Sequence, residues 1–149
     1  MQSIEMLVKL FRQKGFKITP QRRAIFELLN GDDSHPTAEA VYRRALAVVP
    51  DMSRTTVYNT LRELVELGEL SPVEELSEDG VRYDTYTDDH HHLFCMRCHT
   101  LVDINREFEG LELSKGEASG YQIVKRQVTF YGYCHKCKGS KTVQSSLQS

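Results

Sequence analysis

Apolar residues in the first half of the chain recur at helical spacing. Ile4, Leu7, Val8, Leu10 and Phe11 share one side of a helix that stops at Gly15. Thr19 followed by Pro20 reads as an N-cap with proline at the first helical position, opening a second helix through Ile25, Leu28 and Leu29 that ends near Gly31. Thr37 caps a third helix that carries Ala40, Val41, Ala45 and Val48 and closes at Pro50. Ser53 caps a fourth, SRTTVYNTLRELVELGEL, with Val57, Leu61, Leu64 and Val65 facing inward and Gly68 at its end. The period then shortens. SPVEEL and VRYDTY are β-prone, and the turn-like Ser77-Glu78-Asp79-Gly80 separates them. Helices closed by a two-stranded hairpin predict a winged helix-turn-helix over residues 1–84.

The second half has a different character. HHLFC and TLVDI look like strands flanking a Cys95–Cys98 knuckle, and Asn105 to Ala118 is expected to be helical. YQIVKRQVTFYGYC is a long β-rich run that returns to a second knuckle, Cys134–Cys137. The expected class is α+β: a winged-helix domain, a short hinge at 85–91, and a small α/β domain at 92–138 clipped by its own cysteines. The Ser/Gln/Lys-rich residues 139–149 are expected to form a flexible tail.

Composition (40% hydrophobic, 27% charged) is ordinary for a globular protein. The apolar runs are too short to span a bilayer, and the amphipathic start, MQSIEMLVKLFRQKGF, lacks the apolar core of a secretory leader. A cytoplasmic location is therefore expected. The net charge of −2 hides an asymmetry. Residues 1–62 carry ten Lys+Arg against six Asp+Glu, residues 63–84 one against eight, and the rest eight against seven. A basic block is thus masked by an acidic neighbour, which keeps nucleic acid open as a partner.

Two CxxC pairs without a secretory context read as a metal site before a disulfide framework. Four thiolates from Cys95, Cys98, Cys134 and Cys137 can close a tetrahedral zinc site with no open position for chemistry. The competing reading is four reduced or redox-active thiols, but no thioredoxin-type strand-CxxC-helix surrounds them. Next to the first pair stand three consecutive histidines. On a strand His90 and His92 share a face and His91 points away, so two imidazoles form half of a divalent-metal site, to which Asp84 and Asp103 can add carboxylates. The bland alternative is a solvated histidine loop. On the fourth helix, Arg54, Tyr58 and Arg62 form an i, i+4, i+8 row with Thr55 and Asn59 beside it, opposite a face expected to be purely apolar. Such a row supplies phosphate donors and base-edge partners; it also fits an ordinary solvated face, but the preceding helices and basic block favour DNA.

The ordered set HPTAEAVY, SRTTVYNTL, RYD, DHHH, CMRC, LVDI and YGYCHKC resembles the ferric uptake regulator family of metal-dependent repressors, over about residues 3–138. The resemblance implies a homodimer bound to double-stranded operator DNA, with the α/β domain as the dimerisation domain and a hinge metal setting the angle between the DNA-binding domains. Carried across, the family's regulatory site falls on His35, Asp84, His90, His92 and Asp103, and its structural zinc on the four cysteines. Iron-uptake members usually have Glu where this chain has Asp103, which is similar to the peroxide-responsive branch. That branch implies His35 and His90 as the oxidation-sensitive residues and peroxide as the signal. No cysteine is left for a softer sensor site, and three imidazoles with two carboxylates suit Fe2+ or Mn2+.

Two positions depart from iron-type relatives. Asp89 and Arg126 stand where a further site has histidines, so that site is not expected, although His91 can still bind a metal adventitiously. Glu74, Glu75, Glu78 and Asp79 make the wing acidic, which disfavours its close approach to phosphate. An iron sensor without oxidation chemistry is the alternative on the same scaffold. A metal-dependent hydrolase built on His90 and His92 would need an open coordination position, a substrate pocket and a general base, and would leave the DNA-reading module idle.

Overall fold

The protein is described from a computed structural model covering residues 1–74 and 80–139. The chain divides into two compact units, with the boundary between Asp88 and Asp89. The turn expected at Ser77–Asp79, the wing acids Glu75, Glu78 and Asp79, and residues 140–149 of the tail lie outside the described residues.

The first unit contains α1 (Ile4–Gln13), α2 (Pro20–Leu29), α3 (Ala38–Val48) and α4 (Arg54–Glu66). Each starts where a hydroxyl can satisfy an orphan backbone donor. Ser3, Thr19, Thr37 and Ser53 accept from the N–H groups of Met6, Arg22, Ala40 and Thr56. The ends are equally local: Gly68, at φ +74°, takes the left-handed position just past α4. Leu7 and Phe11 of α1, Ile25, Phe26 and Leu29 of α2, Val41 and Ala45 of α3, and Val57, Leu61 and Leu64 of α4 are fully buried in one core. Phe11 and Phe26 meet edge to face at 4.9 Å, and each large side chain so buried stabilises by roughly 1.5–3 kcal/mol. The inner face of α4 is not purely apolar, contrary to the expectation. Thr60 and Glu63 are buried on it, Thr60 bonding back to the carbonyl of Thr56 and Glu63 pairing with Arg22 at 2.8 Å. Glu63 is tolerated there because the Arg22 guanidinium, itself stacked over Phe11 and Phe16, neutralises it.

The wing strands β1 (Ser71–Val73) and β2 (Arg82–Asp84) pair antiparallel with Pro72 opposite Tyr83. The outer edge of β2 is stitched to the loop before α3. Thr37 forms an isolated bridge with Arg82, and the Tyr83 N–H donates to the Pro36 carbonyl at 3.0 Å. Asp84 is the last residue of β2.

The second unit holds a three-stranded sheet in the order β4-β3-β5, formed by β3 (His91–Cys95), β4 (Leu101–Ile104) and β5 (Thr129–Gly132). β4 runs antiparallel and β5 parallel to β3. The crossover between β4 and β5 contains only one short helix, α5 (Lys115–Ala118), with a Ser114/Glu117 capping box. The helix expected from Asn105 does not form. Phe108 is drawn onto the sheet against His91 and Phe130, and Gly110 takes φ +81°, so the segment collapses as a loop before the capped turn. The long β run is likewise reduced to β5. Residues 121–128 carry no strand, and Tyr121, Ile123 and Val124 are exposed; among the described residues the backbone bonding to β3 begins only at the Val128 carbonyl, which accepts the His92 N–H at 2.9 Å. No helix among these residues is long and apolar enough to cross a membrane.

Pleating gives the sheet two chemically different faces. Leu93 lies in register with Val102 and with Phe130, a row of half-exposed apolar side chains across all three strands. His92 and Phe94 lie on the other face, where His92 is opposite Asp103.

Candidate metal centres and nucleic-acid face

The parallel pairing of β3 with β5 places the two cysteine knuckles side by side. Cys95 lies opposite Gly132, and the Met96 N–H donates to the Gly132 carbonyl at 2.9 Å. The four sulfurs are free thiols whose atoms lie within 4.8 Å of one another, with Cys98 Sγ 3.7 Å from Cys134 Sγ. A tetrahedron of thiolates bonded to zinc at about 2.3 Å has edges of about 3.8 Å, so the set fits that ion. Its electrostatics point the same way. Backbone N–H groups, first that of Cys134 and then that of Cys98, hold the Cys95 thiol down to about 5. Loss of water and then the neighbouring thiols push Cys137 up to about 12. The Cys95 thiolate forms readily and that of Cys137 is opposed, a conflict that a dication resolves.

A second cluster lies on the polar face of the same sheet. His90 Nε2 is 3.1 Å from His92 Nε2, and the Asp103 Oδ1 is 3.4 Å and 3.3 Å from these two atoms. Such separations suit neighbouring donors around one ion bonded at roughly 2.0–2.2 Å. Both imidazoles are buried, so the donors are held in place rather than solvated. Register explains the grouping, because Asp103 is the cross-strand partner of His92 and His90 is two residues along the same face. His91 points away. Its Nδ1 accepts the Val128 N–H at 3.1 Å and its ring packs on Phe108, so a backbone contact and a ring contact hold it.

The first unit supplies its own buried pair, with His35 Nε2 3.7 Å from Asp84 Oδ2. His35 takes the left-handed backbone conformation, φ +49°, which costs a non-glycine residue about 1 kcal/mol or more. The wing strand holds it there: Arg82 Nη1 donates to the His35 carbonyl at 3.3 Å, beside the Pro36–Tyr83 bond. The Tyr86 N–H donates to Asp84 Oδ1 at 2.8 Å and sets the carboxylate's direction. The sequence offered no sign of Arg82; its part depends on β2 being laid against the 35–37 loop.

Arg54, Thr55, Tyr58 and Arg62 all lie on the solvent face of α4, with Asn59 partly covered. Arg62 has Glu66 as an i, i+4 partner at 3.7 Å, and Tyr58 is half exposed. Arg54 is not a loose cation. Its guanidinium is paired with Glu39 and stacked on Tyr42 of α3, an arrangement between two helices that no local spacing reveals.

The ferric uptake regulator family model matches residues 13–131. The peroxide operon regulator of Bacillus subtilis is 34% identical over 133 residues, covering 87% of this chain and 90% of that protein. The peroxide-responsive repressor PerR of Staphylococcus epidermidis is 31% identical over 138 residues, covering 91% and 90%. The structure of the Helicobacter pylori ferric uptake regulator superposes with a TM-score of 0.74 at 19% identity, over 95% of this chain and 97% of that one, and so agrees in fold. Four capped helices with a wing, followed by a cysteine-clipped α/β unit with a histidine–aspartate cluster, are accompanied by a match over most of the length: this chain belongs to the ferric uptake regulator family.

Proposed function

We propose that the chain is a metal-dependent transcriptional repressor that works in the cytoplasm, binds operator DNA as a homodimer, and senses peroxide through oxidation of hinge histidines. The observation that carries this reading is the buried His90–His92 pair with Asp103 against it, a ready set of nitrogen and oxygen donors. In the proposal, His35 and Asp84 complete this set as ligands of Fe2+ or Mn2+, while Cys95, Cys98, Cys134 and Cys137 hold a structural Zn2+. The hard-to-borderline donors suit the first pair of metals and the thiolates suit zinc. Residues 1–84 act as the DNA-binding domain, 85–91 as the hinge and 92–138 as the dimerisation domain. Members of this family are transcriptional regulators that act as DNA-binding dimers. The exposed apolar row Val102–Leu93–Phe130, with Tyr121, Ile123 and Val124 nearby in sequence, suits coverage by a second copy. On α4, Arg54 and Arg62 contribute phosphate or base donors, with Thr55, Tyr58 and Asn59 at the base edges.

Fe2+ held by these residues would supply the electron that cleaves the peroxide O–O bond. The ring of His35 or His90, unable to diffuse away, would take up one oxygen, losing a ring C–H proton and returning one electron to the metal, so that the net change is peroxide and imidazole to oxidised imidazole and water. An oxidised ring donates less well, the ligand set is lost, and repression is lifted. Peroxide sensing fits the names of the Bacillus and Staphylococcus relatives. The test is DNA binding by the Fe2+ and Mn2+ forms before and after a brief peroxide pulse, with peptide mass spectrometry on the same samples. The expected result is DNA release and one added oxygen on His35 or His90 in the iron form only. Release without oxygen on either histidine would overturn the mechanism, and an iron form that keeps its DNA would make the chain an iron sensor.

A further inference from the structure

Away from the ligand clusters, α3 and α4 meet in a constellation that neither metal set uses. Glu39 grips the guanidinium of Arg54 side-on: Nε donates to Oε2 at 3.3 Å and Nη2 donates to Oε1 at 3.1 Å. The same guanidinium lies over the Tyr42 ring, 4.3 Å from its centroid. Arg43 Nε donates to Glu39 Oε1 at 3.3 Å and steadies the carboxylate from its own helix. The Arg54 hydrogen bond, the largest influence, holds the Glu39 carboxyl below its usual range, and the same bond raises Arg54.

An exposed ion pair of this kind adds little to stability. Its consequence is geometric. An unrestrained arginine samples many rotamers, and any contact it makes must first overcome that freedom. Here a carboxylate and an aromatic face fix the plane of the fork before any ligand arrives. Side-on pairing occupies Nε and one hydrogen of Nη2. The far edge of the fork, Nη1 with the other hydrogen of Nη2, lies outside the ion pair. Two parallel N–H donors on that edge match O6 and N7 of guanine in the major groove. Arg54 is also the first residue of α4, and the N-terminal residues of a recognition helix are those that meet base edges.

We infer that Arg54 is a guanine-reading residue held in its reading orientation by Glu39 and Tyr42, so that the duplex selected by this chain carries a guanine under the N-terminus of α4 in each half-site. The inference rests on the assignment of α4 as the DNA-contacting helix. Glu39 is a positioning residue, and it has a second effect. By pairing with Arg54 it keeps that charge from settling on phosphates of unrelated DNA.

The experiment selects duplexes from a randomised library with the Mn2+-loaded full-length protein, as wild type, Arg54→Ala and Glu39→Gln, each checked by thermal melting. The wild type enriches a fixed guanine, and replacing it by 7-deazaguanine weakens binding ~5- to 100-fold. Arg54→Ala enriches no base at that position and is indifferent to 7-deazaguanine there. Glu39→Gln keeps Arg54 but loses about three- to ten-fold of the guanine preference, because the fork is no longer fixed. On unrelated DNA it binds more tightly, with a salt slope steeper by about one released counterion. An Arg54→Ala protein with the wild-type consensus and the wild-type 7-deazaguanine penalty overturns the inference. So does a Glu39→Gln protein with unchanged discrimination and salt slope. If Arg54→Ala and Tyr58→Ala both bind every duplex as the wild type does, the α4 assignment itself fails and takes the inference with it.

Discussion

Replacing Cys95 with serine should unfold the second unit and leave the first intact. Cys95 and Cys134 are 39 residues apart, and the thiolate cluster clips β3 to β5 across that interval. If a zinc ion there is treated as a cross-link, opening a loop of this length returns about 4 kcal/mol of chain entropy to the unfolded state. The second unit has little with which to offset it. Its buried apolar side chains among the described residues are Phe94, Cys95 and Leu101, and Phe94 and Leu101 together stabilise by roughly 3–6 kcal/mol. Opening the clip therefore removes a contribution about as large as this entire apolar core. The first unit keeps its own core of four helices and does not depend on the cysteines. Hydrogen exchange read by mass spectrometry separates the two outcomes. Peptides from 91–134 should lose protection in Cys95→Ser and in chelator-treated wild type, while peptides from α1 to α4 keep theirs. The dimer should be lost with them. Protection in β3 and β5 that stays within about tenfold of wild type, a difference of about 1.4 kcal/mol, would refute the reasoning.

The remaining predictions separate the two proposed metals. Asp103→Asn keeps the cysteine cluster but removes the charged partner shared by His90 and His92; zinc content should be unchanged while Mn2+ affinity falls at least about tenfold, and equal Mn2+ titrations by calorimetry would reject Asp103 as a ligand. Zinc binding to the chelated protein at pH 7.5 should release about three to four protons, because the unfolded second unit returns its cysteines to the free value of about 8.5 and each must lose its proton to bind the metal. Calorimetry in buffers of different ionisation enthalpy counts the protons, and release of fewer than about three would mean that thiolates persist without the metal.

The sequence by itself determined most of the local elements and singled out the candidate metal donors. Thr19, Thr37 and Ser53 cap the helices they were expected to cap, because capping depends only on a hydroxyl and the next three residues. The alternation that puts His90 and His92 on one face is equally local, since any extended strand imposes it. Where local signals compete with packing, the tertiary structure decided. Asn105–Glu112 has enough helix formers to suggest a helix, but Phe108 gains more by packing on His91 and Phe130, and Gly110 lets the chain turn. The β-rich residues 121–127 illustrate the same limit, because a strand exists only with a neighbour to complete its hydrogen bonds. Glu63 on the buried face of α4 depends on an arginine 41 residues away. The setting of His35 against Arg82 and of Arg54 against Glu39 and Tyr42 belongs to this class as well. Each joins elements distant in sequence, through a register or helix packing that no spacing encodes.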